Sequence, residues 1–339
     1  MKKIVLFVAA FALLAGGVLV GCGSKSSDAG RLVIYSPNTE DLVNNIITAF
    51  EKETGVKVEI ISTGTGEIFK RVEAEKNSPN ADVLWGGSWA VYASNLDLLE
   101  EYVSANDKDL PVQYQNVTKK ITTYCLDGSV ILVNTDLIGN IKVEGYMDLL
   151  NPALKGKIAM GDPSNSSSAF AHLTNMLLDI GKNYTSAAGW DYVKALLIQV
   201  NGKILNSSSA VHKGVAGGEY TVGITYEDPS AAYVRDGAPV KIVYMKEGVV
   251  FLYPGSAIVK GAKNLDNAKK FIDFITSKTA QDIIGTKLTV RPVRADATLG
   301  SYMKPMNEIT ILSEDYDYVQ KHKNEIVEQY KKIFTQVSK

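Results

Sequence analysis

The feature that most constrains the fold is an alternation of short apolar runs and amphipathic segments that begins at residue 31. Residues 32–35 and 83–85 are short β-rich runs, and residues 56–61 alternate as a strand. Residues 41–53 and 67–76 lie between them and read as helices. A β-α-β-α-β order predicts parallel strands with helices on the sheet faces, because parallel neighbours need crossover connections. The sequence therefore predicts an α/β fold.

The same alternation predicts a second unit over about residues 136–240, and it resumes after residue 249 with a further strand and helix. Strands are expected at residues 158–160, 204–205, 222–225 and 255–259, and helices at residues 168–180, 187–200 and 265–276. A long amphipathic stretch, Tyr316–Phe334, follows. A chain of 339 residues, 45% of them hydrophobic, is long enough for two domains and excludes disorder.

Charge, cysteine content and motifs exclude several classes of function. The 36 basic residues nearly balance the 37 acidic ones, so no global field recruits nucleic acid. The only cysteines are Cys22 and Cys125, which excludes a cysteine-rich zinc site and a disulfide scaffold. The chain lacks a Gly-x-Ser-x-Gly elbow, an HExxH motif and a phosphate-binding loop with its lysine. We therefore expect neither an enzyme nor a cofactor.

The N-terminus carries the features of a secretory signal. Lys2 and Lys3 precede an uncharged apolar run over residues 4–20, which is close to the minimum length of a membrane-spanning helix. The order Leu19-Val20-Gly21-Cys22 resembles the lipobox of bacterial lipoproteins and favours cleavage over a transmembrane anchor. We expect residues 1–21 to be a signal peptide, and residues 22–30 to be the lipidated Cys22 and a flexible tether. The lipid would anchor the protein at the extracytoplasmic face of the cell membrane, on the extracellular side or in the periplasm.

A set of short motifs occurs in the order found in bacterial solute-binding proteins. The motifs are Val33-Ile34-Tyr35-Ser36, FEKETGVKV at residues 50–58, Ala81-Asp82-Val83, PALKGKIA at residues 152–159 and AKKFIDF at residues 268–274. Residues 31–339 thus resemble the extracellular solute-binding proteins (family 1) of ABC importers. The similarity is strongest to the branch that includes ferric-ion and phosphonate or sugar-phosphate binders.

That resemblance implies a two-lobed type II periplasmic-binding-protein fold with a hinge and an interlobe cleft. Lobe one would comprise residues 31–122 plus 250–339, and lobe two residues 123–249. The chain would cross between the lobes twice, near Thr122–Val133 and Val240–Phe251. The implied function is capture of a solute, by a monomer, for a membrane permease and its ATPase.

Three segments rich in hydroxyl groups or glycine are candidate anion sites. Residues 63–67, 162–168 and 206–209 each precede a predicted helix, where free N–H groups and the helix dipole favour negative charge. Ordinary N-capping is the alternative for each segment taken alone. The candidate ligand-binding residues here are Thr65, Gly66, Ser166, Ser167, Ser207 and Ser208, with Ser36 added by its position after the first strand.

The segment Tyr226-Glu227-Asp228 follows another predicted strand, and all three residues are ligand candidates. The two acids suit a ligand amine or sugar hydroxyls, although a solvated turn is the alternative. In the ferric-ion binders that the chain resembles, adjacent tyrosines at this corner hold Fe³⁺. Here Tyr226 matches the first tyrosine, but Glu227 stands where the second would be, so the iron alternative would rest on Tyr226 and Glu227.

Further residues near the expected cleft remain open to two interpretations. Trp85 and Trp89 flank two glycines and can wall a pocket, or can pack in the core and on a helix. His212 can contact an anion or lie exposed on a helix, and Arg291 can bring positive charge to the cleft or lie at the surface. Cys125 is expected to be a buried small hydrophobic residue.

The sequence favours a small anionic solute as the ligand, such as 2-aminoethylphosphonate or a phosphorylated metabolite. Three alternatives remain. The first is Fe³⁺, the second is a hydrolase built on the serines, His212 and Asp228, and the third is an adhesin or signalling lipoprotein without a transport role. No resident metal is expected outside the iron alternative.

Lipidation of Cys22 is directly testable. Replacing the acceptor thiol, Cys22→Ala, should leave unprocessed precursor and abolish labelling with an acyl probe in the native host. Cys125→Ala removes the other cysteine of the chain and serves as the control, with labelling and processing unchanged. Undiminished labelling of Cys22→Ala would show that the lipid is attached elsewhere.

Overall fold

The structure is a computed structural model that describes residues 30–338, apart from the side chain of Thr65 and the surroundings of Gly66. The predicted signal peptide, Cys22 and residues 23–29 of the tether lie outside this range. Within it, no helix combines the length and the apolar character that crossing a membrane requires.

Strands and helices alternate along the described chain as the sequence predicts. The strands are β1 (Leu32–Ser36), β2 (Val58–Ser62), β3 (Val83–Ser88), β4 (Thr122–Thr123), β5 (Cys125–Asn134), β6 (Ile158–Gly161), β7 (Ile204–Leu205), β8 (Val222–Tyr226), β9 (Val240–Val243), β10 (Phe251–Leu252), β11 (Pro254–Ile258) and β12 (Arg291–Pro292). The α-helices are α1 (Glu40–Thr54), α2 (Thr65–Glu75), α3 (Trp89–Ala93), α4 (Ser167–Gly181), α5 (Ala187–Val200), α6 (Ser208–Ala216), α7 (Glu227–Arg235), α8 (Leu265–Ile275), α9 (Lys278–Lys287), α10 (Tyr316–Lys321) and α11 (Lys323–Val337).

The strands form two sheets, each flanked by helices, and we call each sheet with its helices a lobe. In the first lobe the strand order is β2-β1-β3-β11-β4. β1 pairs in parallel with β2 and β3, which confirms the predicted parallel arrangement, and β11 is antiparallel to β3 and β4. In the second lobe β6 lies in parallel between β7 and β8, and β5 is antiparallel to β8, β9 and β10.

The chain passes between the sheets at single residues. Tyr124 separates β4 of the first sheet from β5 of the second, inside the range expected for the first crossing. The return lies at Tyr253, beyond the expected Val240–Phe251, because β10 still pairs with β5 through Leu252 and Asp127. The second sheet therefore continues to Leu252, one residue past the expected crossing.

A third connection between the lobes was not predicted. After α9, which packs on α1 and α8 of the first lobe, the chain forms β12, and β12 pairs with residues 125–126 of β5. The expected first lobe ran to residue 339, but the structure differs there as well. Helix α11 packs on α5, and its buried side chains Ile326, Tyr330 and Ile333 join the core of the second lobe. The predicted stretch 316–334 is also divided into two helices, at His322.

A buried histidine links the helices of the second lobe to its sheet. His172 on α4 has no exposed surface, and its Nδ1 lies 2.7 Å from the Tyr146 hydroxyl. Its Nε2 donates to the Thr225 carbonyl of β8. Burial lowers the pKa of His172 from 6.5 to about 4, because the imidazolium form would lose its hydration.

This histidine predicts how stability depends on pH. Since the folded pKa lies below the unfolded value, the unfolded chain binds more protons between pH 6.5 and about 4, and stability falls as the pH is lowered through that window. The loss attributable to His172 is up to about 3 kcal/mol. Urea unfolding of wild type and His172→Gln at neutral pH and near pH 4 measures it.

The variant should lose less stability on acidification than the wild type. His212, whose pKa is also lowered by burial to about 4, keeps part of the dependence. His322 lies in an exposed pair with Glu325, so His322→Gln should follow the wild type. An acid loss of the same size in His172→Gln and wild type would contradict the assignment.

Candidate functional site

A polar cavity of about 320 Å³ lies in the second lobe, at the edge of the sheet where parallel strands meet helix starts. The loops after β6 and β7 lead into α4 and α6, and β8 ends beside them at Tyr226. Carboxyl ends of parallel strands share one edge, which is why these segments converge. The lining residues are Asp127, Ser129, Asn165, Ser166, Ser167, Ser168, Ala171, Ser207, Ser208, Tyr226 and Leu252. We call this the serine-lined cavity.

Two of the predicted serine segments thus meet in one cavity. Ser166 caps α4 by accepting from the Ala169 amide at 3.2 Å, and Ser207 caps α6 by accepting from the Ala210 amide at 3.2 Å. Capping therefore does occur, as the alternative interpretation held, but in helices whose N-termini border a cavity. The first amide groups of each helix have no intrahelical partner. With the hydroxyls of Ser167 and Ser208, they provide donors for an anion without any charged side chain.

Tyr226 forms one wall of the serine-lined cavity and faces Ser129 across the β5–β8 ladder. Burial, reinforced by Asp127 and Asp228, raises the pKa of its hydroxyl to about 12, so the phenol is protonated at neutral pH. The ring centroid of His212 lies 6.1 Å away, edge to face. Only 7% of His212 is exposed, which differs from the expected exposed position, and burial lowers its pKa to about 4. A neutral imidazole therefore supports Tyr226.

Asp127 is a site residue that the sequence analysis missed. It borders the serine-lined cavity from β5, and its Oδ1 is buried without a hydrogen-bond partner among the described residues. Burial, with the neighbouring Asp228 and Glu227, raises the pKa of this carboxyl well above its usual range. Its flanking residues Leu126 and Gly128 gave no signal, because a lone acid in an apolar strand looks like a surface residue.

Glu227 does not have the open carboxylate that the sequence analysis expected. Its side chain is 1% exposed and forms an ion pair with Arg291 of β12, whose side chain is 0% exposed. Arg291 Nε donates to Glu227 Oε2 at 2.7 Å, and the Tyr244 hydroxyl donates to Oε1. The carboxylate is thus occupied by internal donors, and Arg291 lies neither at the surface nor in the cleft. Asp228 is likewise engaged, since its Oδ1 accepts from the Thr289 hydroxyl at 2.5 Å.

The ligand candidates in the first lobe are Ser36, Thr65 and Gly66. Ser36 is fully buried, and its hydroxyl donates to the Trp85 carbonyl at 2.7 Å while it accepts from the Asn38 amide. A hydroxyl satisfied inside the core cannot contact a ligand, so this expectation is corrected. Thr65 and Gly66 start α2, and their surroundings lie outside the described part of the structure, so their role stays a prediction.

A second cavity extends the site from the serine-lined cavity to the first lobe. It has a volume of about 510 Å³ and shares Asp127 and Ser167 with the serine-lined cavity. Gly87, Ser88 and Trp89 of the first lobe line its opposite side. This cavity therefore forms an interlobe cleft.

The two tryptophans near the cleft have different roles. Trp85 is fully buried in the first core, whereas Trp89 borders the cleft, so each interpretation holds for one of them. Gly86 between them has φ +110°, and a Cβ there would lie 2.5 Å from Asn38 Oδ1. Lys323 at the start of α11 brings one positive charge to the cleft. Among the described residues, no group of three or more His, Cys, Asp or Glu side chains is arranged to hold a metal ion.

Comparisons with known proteins identify the family. The sequence model of the bacterial extracellular solute-binding proteins matches residues 32–287. A Haemophilus influenzae protein, named only as uncharacterized, is 32% identical over 80% of this chain and 80% of its own. The Fe(3+)-binding periplasmic protein of Serratia marcescens is 26% identical over 81% of this chain and 82% of its own.

A solved structure is also similar. The periplasmic binding protein AfuA from Actinobacillus pleuropneumoniae, with fructose-6-phosphate bound, has a TM-score of 0.71 and 28% identity, covering 90% of this chain and 99% of that one. The chain belongs to the bacterial extracellular solute-binding protein family, and its fold is that of the periplasmic binding proteins. It is a binding protein and not an enzyme.

The Arg291–Glu227 pair predicts a large, specific effect on stability. Arg291→Met leaves Glu227 buried without its counter-ion, so the free energy of unfolding should fall by about 3–5 kcal/mol. Adding Glu227→Gln removes the stranded charge, and the double variant should recover part of that loss. Urea unfolding of the single and double variants measures the coupling.

The matched control is Arg31→Met, which breaks a pair whose side chains are 51% and 42% exposed. An exposed pair contributes about 1 kcal/mol or less. If Arg291→Met lowered the free energy of unfolding no more than Arg31→Met, the buried pair would not contribute the stability that its burial predicts.

Proposed function

We propose that the protein is the lipid-anchored solute-binding component of an ABC importer, and that it captures a small organic phosphate or phosphonate that also carries an amine or hydroxyl groups. The serine-lined cavity carries this proposal. Its hydroxyls and the two helix N-termini supply donors for a phosphate group, and no lysine or arginine is among the described residues that line it. Such a site selects by shape and hydrogen-bond geometry more than by charge alone.

Asp127 supports a ligand with a donor group beside the phosphate. An unpaired buried carboxyl oxygen is costly, and a ligand ammonium or hydroxyl would satisfy it. This reassigns to Asp127 the role that the sequence analysis gave to Glu227 and Asp228. The relative AfuA, described with fructose-6-phosphate bound, supports a phosphorylated organic ligand.

Fe³⁺ is the second candidate, because one relative is an Fe(3+)-binding protein at 26% identity. Two observations in this chain weigh against it. Tyr226 has an acid, not a second tyrosine, beside it, and that acid, Glu227, is paired with Arg291. Iron binding would give the purified protein a visible tyrosinate-to-iron colour that chelators remove.

Capture would occur by closure of the two lobes over the cleft. The phosphate end would bind the second lobe first, and contacts from Ser88 and Trp89 of the first lobe would then stabilise the closed state. The closed form would dock on the permease, which is driven by its ATPase. Relatives that include a probable ABC transporter periplasmic-binding protein support these partners.

Calorimetric titration of the purified soluble part, residues 30–339, tests the ligand class. The ligands are 2-aminoethylphosphonate, fructose 6-phosphate, orthophosphate and Fe³⁺, and the visible spectrum is recorded beforehand. Ser207→Ala/Ser208→Ala should weaken binding of the cognate organic anion about tenfold, since two neutral hydrogen bonds are lost. If that variant bound the ligand with wild-type affinity, the two serines would act only at the start of the helix and would not contact the ligand.

Asp127→Asn separates the two ends of the ligand. It should weaken 2-aminoethylphosphonate or a sugar phosphate about tenfold or more, through loss of a charge-assisted hydrogen bond. Orthophosphate carries no amine or alcohol hydroxyl beside its phosphate group. Its binding should therefore stay unchanged or strengthen once the neighbouring carboxyl is removed. Equal weakening of all three anions would contradict the role of Asp127. A coloured, iron-loaded protein indifferent to the organic anions would overturn the proposal as a whole.

A further inference from the structure

A third cavity, of about 280 Å³, lies beside the hinge and is walled by aromatic rings. Trp89 of the first lobe, Tyr253 at the chain crossing and Tyr316 at the start of α10 form a mutual cluster, with centroid separations of 5.6 to 5.9 Å. Tyr114 extends the wall, 5.8 Å from Tyr253. We call this cavity the aromatic chamber.

The rest of the lining of the aromatic chamber is neutral or acidic. Its neutral residues are Gln113, Gln115, Val117, Thr118, Ile121 and Thr123. Glu314 and Asp317 lie on its rim together with Asp315, and no lysine, arginine or histidine is among the described residues that line it. The Asp315 carboxylate is used, because it caps α10 by accepting from the Tyr318 amide at 3.0 Å. Glu314 differs, since its Oε1 is buried and has no hydrogen-bond partner in the described part of the chain.

These features favour one class of ligand. The faces of aromatic rings carry partial negative charge and attract ammonium groups within about 6 Å, most strongly where water is excluded. A cation would also pair with Glu314, whose pKa is raised by burial although the Thr174 hydroxyl lowers it, and which meets no basic side chain among the described residues that line the chamber. An anion would lie beside three acids and would find no basic side chain among the described lining residues, and a neutral sugar would leave Glu314 without a counter-ion.

We propose that the aromatic chamber binds a small organic ammonium ion, at a site separate from the serine-lined cavity. The site is built from Trp89, Tyr114, Tyr253, Tyr316 and Glu314, and it does not depend on the function proposed above. Four of its residues, Trp89, Tyr253, Glu314 and Tyr316, also line the interlobe cleft, so a bound cation contacts both lobes beside the hinge.

The test compares choline with 3,3-dimethylbutan-1-ol, a neutral molecule of the same shape. Calorimetry and tryptophan fluorescence are recorded on residues 30–339. Choline should bind saturably and at least about tenfold more tightly than the alcohol, since only the cation gains from the rings and the carboxylate. Equal affinity for the two, or no saturable binding of choline, overturns the proposal.

Variants assign the binding to the aromatic chamber. Glu314→Gln keeps the shape and removes the charge, so choline affinity should fall about fivefold or more, whereas Glu308→Gln at an exposed site should leave it unchanged. Trp89→Leu should abolish binding and Trp89→Phe should retain part of it, with urea unfolding showing that both variants are folded.

Two further variants separate this proposal from that of the serine-lined cavity. Ser207→Ala/Ser208→Ala and Asp127→Asn should bind choline as the wild type does, whatever they do to phosphates. If Asp127→Asn lost choline and Glu314→Gln did not, the ammonium group would belong in the serine-lined cavity and the chamber proposal would be wrong. Loss of phosphate binding with choline binding intact would count against the proposed function alone.

Discussion

The ion pair between Arg291 and Glu227 fixes the corner on which the candidate site depends. Glu227 is the first residue of α7, directly after Tyr226, and Arg291 reaches it from β12. The pair is shielded from solvent, and Arg291 Nη2 also donates to the Lys304 carbonyl at 2.7 Å. Because two buried charges are costly unless both stay paired, the end of β8 has little freedom to move. Tyr226 and the neighbouring Asp127 are therefore held in place before any ligand arrives.

The serine-lined cavity carries its binding potential in hydroxyls and helix N-termini instead of positive side chains. The amide groups at the starts of α4 and α6 belong to helices with many buried side chains. These N–H donors therefore need no reorganisation to bind an anion. Asp127 is the single acid among the described residues of the lining, and its unpaired carboxyl oxygen favours a ligand with a donor beside its phosphate. Under the proposed function, specificity would follow from the placement of unlike groups at the two ends of one cavity.

The parts of the site that could be predicted from the sequence are those encoded locally. Ser166 and Ser207 follow strand signals and precede helical periodicity, so their place at the sheet edge follows from the order of elements alone. Whether the Glu227 carboxylate is free or paired depends on Arg291, which lies 64 residues further along the chain, and that pairing has no local sequence signature. For the same reason α11 was assigned to the wrong lobe. The apolar face of an amphipathic helix predicts that the helix packs against other residues, but it does not predict which residues these are.

The non-covalent contacts that hold the two lobes together also differ in strength. This difference would determine which contacts break first in the proposed closure. Across the cleft, the Tyr316 hydroxyl lies 3.2 Å from that of Ser88 and accepts from the Ala90 amide at 3.3 Å. Such neutral bonds at the edge of solvent contribute about 1 kcal/mol each, much less than a buried charged pair. In the proposed closure, rotation of the lobes would therefore break the Tyr316 contacts before it disturbed Arg291, which would keep the axis near β5. The cleft and the aromatic chamber share Trp89, Tyr253 and Tyr316, so under the two proposals occupation of either cavity would shift the same equilibrium between open and closed lobes.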